Sequence, residues 1–124
     1  MEISEEEFLK KLEKKRGKIK AVLMDQSVLA GIGNVYADEI LFQSRIHPES
    51  SADKLKEKEL KAIFKNIKPV METAIFYQGK RKSLPDNFII PYRKKGEACP
   101  VCGGKIEMMR IGGRATYFCP FCQR

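Results

Sequence analysis

Long apolar runs are missing from this sequence. None approaches the length of a membrane-spanning helix, which excludes a helical membrane protein. Met1 opens onto Glu2, Glu5, Glu6 and Glu7 rather than onto a basic and then apolar leader. That opening argues against a signal peptide and for a reducing, cytoplasmic setting. Cysteine is absent from the first 98 residues, and all four cysteines stand between positions 99 and 122. Acidic residues thin out along the chain: residues 1–50 carry eight Lys/Arg against nine Asp/Glu, whereas residues 80–124 carry ten against three. A basic final third suits a phosphate-rich partner, although charge alone also fits a merely well-solvated surface. At 124 residues there is room for one domain, or for one helical body with a small appendage.

Cys99–Arg124 reads CPVCGGKIEMMRIGGRATYFCPFCQR, two C-x2-C pairs with sixteen residues between them. That is the spacing of a four-thiolate zinc site, because each C-x-x-C turn offers two sulfurs from one knuckle and zinc takes four soft ligands in a tetrahedron. Two disulfides or free thiols would use the same residues, but nothing here suggests secretion. Cys99, Cys102, Cys119 and Cys122 are the candidate ligands of one Zn2+. Four thiolates leave no position for water, so the metal is expected to be structural. The spacer alternates through Lys105, Ile106 and Glu107, then through Thr116, Tyr117 and Phe118 beyond Gly112-Gly113. This predicts a β-hairpin with the glycines near its turn and the knuckles side by side at its base. So small a module buries little core of its own, and the metal must supply its stability. Ligand deprotonation lowers the formal charge from +8 to about +6 when zinc binds. Arg110 and Arg114 are displayed around the glycine turn.

The helical signals begin at once. In Ile3–Phe8, ISEEEF, Ser4 serves as a cap, Glu7 closes a capping box and Ile3 staples onto Phe8. Phe8, Leu9 and Leu12 form the buried stripe, and Gly17 ends the helix. Ile19, Val22 and Leu23 predict a second, short helix. Met24–Asn34, MDQSVLAGIGN, is apolar without helical period, and Gly31 and Gly33 permit backbone angles that other residues resist. Asn34 is expected to cap a helix over Val35–Ser44, with Asp38 and Glu39 facing outward and Ile40 and Leu41 inward. A glycine-rich turn entering a helix N-terminus exposes free N–H groups and the positive end of the dipole, which makes an anion site. On the glycines alone, an ordinary interhelical turn fits equally well. Lys58–Gln78 predicts the longest helix. Its stripe is Leu60, Ile63, Phe64, Ile67, Val70, Met71, Ala74 and Ile75. Pro69 is expected to kink it without breaking it, and Lys58, Lys61, Lys65 and Lys68 form a solvated face. Gly79–Tyr92 reads as a loop led by basic residues and anchored by Phe88 and Tyr92. The expectation is a mainly α protein: a helical domain over 1–79, a basic loop or linker over 80–98, and a zinc-bound β-hairpin over 99–124.

Lys18–Pro48, KIKAVLMDQSVLAGIGNVYADEILFQSRIHP, closely resembles the helix–two-turns–helix of the Fpg/Nei DNA glycosylases. Cys99–Gln123, with GGRATYFCPFCQ, resembles that family's C-terminal zinc finger. The two motifs stand in the family's order at a compatible separation, and the resemblance extends over essentially the whole chain. It implies that residues 18–48 form the helix–two-turns–helix, and that Asn34 and Arg114 bind the phosphates flanking a lesion, with Gly33, Lys94 and Lys95 beside them. The partner it implies is double-stranded DNA carrying oxidised-purine or abasic lesions, in base-excision repair at the nucleoid. The chemistry agrees, since an amide at a helix N-terminus and a guanidinium at a hairpin tip suit phosphate oxygens. His47, in the family's I-H-P, is assigned a structural role. The loop before Tyr92 departs from the family pattern, which leaves Ser83 and Asp86 as weak candidates for base contacts. Arg93 and Ala98 stand where the family commonly has glycine and proline.

The same resemblance implies a gap. The family's chemistry begins with an N-terminal proline followed by glutamate on a separate β-sandwich, and that secondary amine attacks the sugar carbon. This sequence begins Met1-Glu2-Ile3 and shows no matching nucleophile, so no catalytic residue is expected among these 124. The first reading is the damaged-DNA-binding C-terminal half of a glycosylase/AP lyase, working with a catalytic domain that another chain could supply. The alternatives are a freestanding zinc-dependent DNA-binding protein without catalysis and a zinc-ribbon adaptor for another protein. A neighbouring sandwich domain selects the first, partner-free binding to abasic DNA the second, and binding without salt dependence the third.

Overall fold

The structure, a computed structural model, describes residues 3–29, 31–77 and 83–124. Lys80, Arg81 and Lys82, which lead the expected basic loop, lie outside the described residues. Four helices precede one hairpin: α1 (Glu5–Glu13), α2 (Ile19–Leu23), α3 (Asn34–Ser44), α4 (Glu57–Tyr77), β1 (Glu107–Ile111) and β2 (Arg114–Phe118). Short 3₁₀ turns cover Ala52–Lys54 and Ile90–Tyr92.

α1 starts on the capping box that its sequence announces. Ser4 Oγ accepts the Glu7 N–H at 3.1 Å, and the Glu7 carboxylate accepts the Ser4 N–H at 3.5 Å. Phe8 and Leu12 point inward, and the Phe8 ring meets Phe64 of α4 at 5.3 Å. In α4, Leu60, Ile63, Ile67, Val70 and Ala74 are buried while Phe64 and Met71 are partly so. These positions advance by three and four residues alternately, the period of a helix face. The next place in that series falls on Tyr77, which packs against Leu84, Phe88 and Ile90. Ile75, expected in the stripe, lies at its edge and is 63% exposed. The helix runs on through the exposed Pro69. Lys61 and Lys68 pair with Glu57 and Glu72 at 3.7 and 4.0 Å, one turn away on the solvated face.

α3 is the centre of the molecule. It runs antiparallel to α4: Ser44 Oγ accepts from Asn66 Nδ2 at 3.1 Å at one end, and Val35 and Tyr36 share a cluster with Tyr77 at the other. The expectation that Asp38 and Glu39 face outward is wrong, since they are 1% and 0% exposed. The reason is that α3 is covered all round. Its Ala37, Ile40 and Leu41 join the core of α1, α2 and α4. Its Phe42 joins Ile89, Cys99, Ile106 and Cys119 in a second cluster that belongs to the metal knuckles. The cysteine module therefore draws apolar support from α3 as well as from any metal. The helix also begins one residue earlier than expected, with Gly33 as its N-cap and Asn34 as its first residue, which frees the Asn34 amide for another task.

A buried carboxylate must have donors around it, and Glu39 has three. Its Oε1 accepts the Ile90 N–H at 2.9 Å, and its Oε2 accepts the Ile89 N–H at 3.1 Å and Gln43 Nε2 at 2.8 Å. Burial pushes this carboxyl up to about 7, against the downward pull of those donors. Glu39 thus pins the turn that leads from the loop towards the metal module. Glu39→Ala leaves two buried amides without an acceptor and is expected to destabilise the fold by at least about 1–3 kcal/mol. A lowered thermal midpoint and faster hydrogen exchange at the Ile89 and Ile90 amides would register it; unchanged exchange there would show that the pin is dispensable.

Candidate nucleic-acid interface and metal centre

The turn between α2 and α3 is held by its own polar side chains. Asp25 Oδ1 accepts the Ser27 N–H at 2.9 Å and the Ser27 hydroxyl at 2.7 Å, and the Ser27 hydroxyl leads in holding the Asp25 carboxyl down at about 2. Gln26 Oε1 accepts the Gly31 N–H at 3.1 Å, where Gly31 sits at φ +91 and only glycine is at ease. Val28, Leu29 and Ile32 are buried, so Gly31 and Gly33 are left on the surface. The chain then enters α3 at Asn34.

Asn34 does not cap its own helix. Its Nδ2 donates to the carbonyl of Ala115 at 3.1 Å, and its second N–H makes no further bond among the described residues. Ala115 follows Arg114 on β2, so this bond brings the GIGN turn and the hairpin tip together. The turn of the hairpin is Gly112-Gly113, with φ of 58° and 78° and Ile111 paired to Arg114. Positive φ at both positions is the type I′ geometry that matches strand twist and that glycine supplies. Arg110 Nη1 braces this turn through Gly113 O at 3.4 Å. Arg114 is exposed, and its guanidinium has no polar partner among the described residues. Lys94 and Lys95 are exposed in the turn before Cys99, and no contact links them to Asn34 or Arg114. Ser83 and Asp86 are likewise exposed and make no contact with the pair.

Beneath Asn34 and Arg114 lies an ionic cluster that sequence reading missed. Lys20, fully buried on α2, donates to Thr116 Oγ1 at 2.6 Å and to Ala115 O at 3.2 Å, and stands 2.8 Å from Asp38 Oδ1. Asp38 Oδ2 also accepts from Arg93 Nη2 at 3.0 Å, Arg93 Nε at 3.2 Å and the Tyr117 N–H at 3.1 Å. The Arg93 guanidinium lies 4.8 Å above the Tyr117 ring. Burial pulls the Lys20 ammonium below its ordinary range, while Asp38 opposes that pull. One carboxylate therefore ties α2, α3, the segment before the knuckles and β2. The sequence signal was available in principle: a charged Asp-Glu pair inside the apolar run of α3, and an arginine where the resembling family commonly has glycine. His47 fills the structural role expected of it. Its Nδ1 accepts the Glu49 N–H at 3.0 Å, and its ring packs on Phe118 at 4.7 Å.

The four cysteines converge. Their sulfurs all lie within 4.8 Å of one another, with Cys99 and Cys122 at 3.9 Å and Cys102 and Cys119 at 3.5 Å. Four sulfurs about 2.3 Å from a tetrahedral zinc stand about 3.8 Å apart, so the cage has the right size. The knuckle amides support negative charge: the N–H groups of Val101 and Gly104 point at Cys99 Sγ and Cys102 Sγ, each at 3.4 Å. The Gly104 N–H holds the Cys102 thiol down at about 7, while burial pushes Cys122 up to about 12 and also raises Cys119. Such a set gathers four thiolates only around a cation.

A helix–two-turns–helix followed by a four-cysteine finger defines a recognisable class. The family model described as the formamidopyrimidine-DNA glycosylase H2TH domain matches residues 1–85, and that described as the zinc finger found in FPG and IleRS matches residues 96–124. The chain belongs to the formamidopyrimidine-DNA glycosylase H2TH family. It is 41% identical to the formamidopyrimidine-DNA glycosylase of Mycoplasmopsis pulmonis, over 99% of this chain and 48% of that protein. It is also 41% identical to that of Listeria innocua, over 86% and 42%. Among solved structures, Lactococcus lactis Fpg bound to DNA containing an AP site superposes with a TM-score of 0.86 at 36% identity, over 98% of this chain and 46% of that one. MutM in complex with DNA containing carbocyclic 8-oxo-G gives 0.84 at 36% identity, over 98% and 47%. The chain thus spans about half the length of the relatives it matches.

The FPG-type finger and the sulfur cage together assign one structural zinc to this chain. Purified protein is expected to carry about one zinc per chain, and Cys102→Ser or chelation to unfold the hairpin. A zinc content near zero, or unchanged amide protection over residues 107–118 in Cys102→Ser, would contradict this. Asp38→Ala strands Lys20 in the interior and is expected to cost about 3–5 kcal/mol. Chemical denaturation measures it, and a loss below about 1 kcal/mol would show that Lys20 finds another partner or sheds its proton.

Proposed function

We propose that these residues form the DNA-binding part of a formamidopyrimidine-DNA glycosylase, gripping backbone phosphates of duplex DNA beside an oxidised purine or an abasic site. The observation that carries this reading is the bond from Asn34 Nδ2 to Ala115 O at 3.1 Å. It sets an amide donor at the N-terminus of an eleven-residue helix beside the residue that follows an unpaired, exposed arginine. Helix N-termini and guanidinium groups are both well suited to holding phosphate. Relatives of the same fold bound to AP-site and 8-oxo-G DNA support the choice of partner. Gly33 adds an open backbone next to Asn34, and Lys94 and Lys95 add longer-range charge. The four cysteines hold zinc in a purely structural role. On this reading the protein works in the cytoplasm, at the nucleoid. No helix among the described residues is long and apolar enough to cross a membrane.

Excision itself is assigned to residues outside these 124, in the half of the relatives' length that this chain does not span, whether in one polypeptide or as a separately encoded catalytic domain. A working amine catalyst must be unprotonated and held against the sugar carbon, and no described lysine sits in such a pocket. Lys20, the one buried lysine among the described residues, is committed to Asp38 and Thr116.

Arg114→Ala should weaken binding to an abasic-site duplex across sequences and lower the salt slope by about one. Asn34→Ala should weaken binding with little change in slope, because the amide is neutral. If both variants bind as wild type does, the phosphate assignment is wrong. Borohydride trapping on an 8-oxoguanine duplex should give no rapid, single-site adduct with these 124 residues alone. A fast adduct at one residue would place the chemistry within them.

A further inference from the structure

Basic residues are not spread evenly over the first part of the chain. Seven of the eight Lys/Arg among residues 1–50 stand between positions 10 and 20, with Glu13 the one acid among them. A near-neutral stretch therefore carries one concentrated basic patch, and the structure gives it a shape. Lys10, Lys11, Lys14 and Lys15, at the C-terminal end of α1, line an open groove of about 610 Å³ whose other wall is Ser27 and Val28. That wall belongs to the turn that leads to Asn34. Two of the lysines fasten helix to turn. Lys11 Nζ donates to the carbonyls of Ser27 and Val28 at 3.4 and 3.3 Å, and Lys15 Nζ stands 3.3 Å from Asp25 Oδ2. The other two are left over. Lys10 and Lys14 lie one helical turn apart, and both are exposed. Lys10 meets only the exposed Glu6, at 3.7 Å, and the Lys14 ammonium has no polar partner among the described residues.

Cations at this end of α1 favour the helix dipole, but the dipole asks for no groove and no second wall. Lysine is depleted from protein–protein interfaces, where aromatic side chains are enriched, and among the described residues no aromatic side chain lines this groove. Lysines are point charges on flexible stems, and they follow a line of phosphates without fixing on a base. The groove is also close to the grip. Val28 and Asn34 are six residues apart, which even a fully extended chain spans in about 20 Å. The bond from the Gly31 N–H to Gln26 folds the turn shorter still. A duplex advances about 3.4 Å per base pair, so the groove lies within about six base pairs of the phosphates at Asn34. We infer that Lys10 and Lys14 hold the sugar–phosphate backbone of the same duplex in its undamaged flank, while Lys11 and Lys15 keep the groove in shape. This rests on the DNA-binding reading given above. It adds a lesion-independent contact that lengthens the footprint to one side of the lesion.

The probes are three abasic-site duplexes, one with about ten base pairs on each side of the lesion and two with one or the other arm cut to about three. Lys10→Gln/Lys14→Gln should lower the salt slope on the long duplex by about two. Wild type should lose the same amount when one particular arm is cut, and on that duplex the double variant should match it. The thermal midpoint should stay nearly unchanged, because both ammonium groups are exposed and an exposed pair such as Lys10–Glu6 contributes little. Lys58→Gln/Lys65→Gln, which removes equal charge from the solvated face of α4, should leave slope and affinity as they are. Arg114→Ala should weaken binding to all three duplexes. Three results overturn the groove contact: a wild-type slope in Lys10→Gln/Lys14→Gln, a deficit that persists on both shortened duplexes, or an equal deficit in the α4 variant. Arg114-dependent binding in any of these cases leaves the phosphate grip standing. If wild type binds none of the three duplexes, both readings fail.

Discussion

The carboxylate of Asp38 is the point on which the geometry of this protein depends. It is buried on α3, and it takes the ammonium of Lys20, the guanidinium of Arg93 and the N–H of Tyr117. An isolated charge in that position would be prohibitively costly, and only dense pairing makes it tolerable. The pairing has a geometric result. Two helices, one irregular segment and one strand of the metal hairpin are referred to a single pair of oxygen atoms. A buried ion cluster of this kind contributes little net stability compared with apolar packing, but it tolerates few alternative arrangements. The relative placement of Asn34 and Arg114 is set by that restriction, through Ala115 and Thr116, which Lys20 also holds.

The metal module is integrated with the helical body through a second set of contacts. Phe42 and Ile89 sit in the same apolar cluster as Cys99 and Cys119, and Glu39 fixes the backbone of Ile89 and Ile90 just before it. Zinc and the core therefore act on the same few residues from opposite sides. The sulfur cage orders the knuckles, and the knuckles complete the cover over α3. The proposed phosphate grip would need its donors held in place before the ligand arrives, and both sources of rigidity would serve that end.

Much of this was legible in the residues. The α1 capping box, the α4 stripe up to Ala74, the glycine turn of the hairpin and the four-sulfur cage all rest on local periodicity or fixed spacing, which sequence records directly. The error at Asp38 and Glu39 has a plain physical origin. Asp38 and Glu39 are hydrophilic, and a rule of polarity sends them outward; what buries them is the arrival of Arg93, Tyr117, Ile89 and Ile90 from fifty or more positions away. Long-range partners leave no local trace. Ile75 failed for a different reason: it continues the edge of the stripe through Phe64 and Met71, but that edge is only partly buried and at Ile75 nothing covers it. Asn34 was expected to cap α3, yet its amide is committed to Ala115 rather than to its own helix terminus, a distinction set by tertiary contact.

The second knuckle is closed by the penultimate residue. Gln123 is buried; its Oε1 accepts the Cys119 N–H at 2.9 Å and its Nε2 donates to the carbonyl of Ile46 at 3.0 Å, just past the end of α3. The consequence is kinetic. Release of a metal ion through the second knuckle has to loosen a turn that is latched to the helical body, so opening there is coupled to the end of α3 as well as to the metal–sulfur bonds.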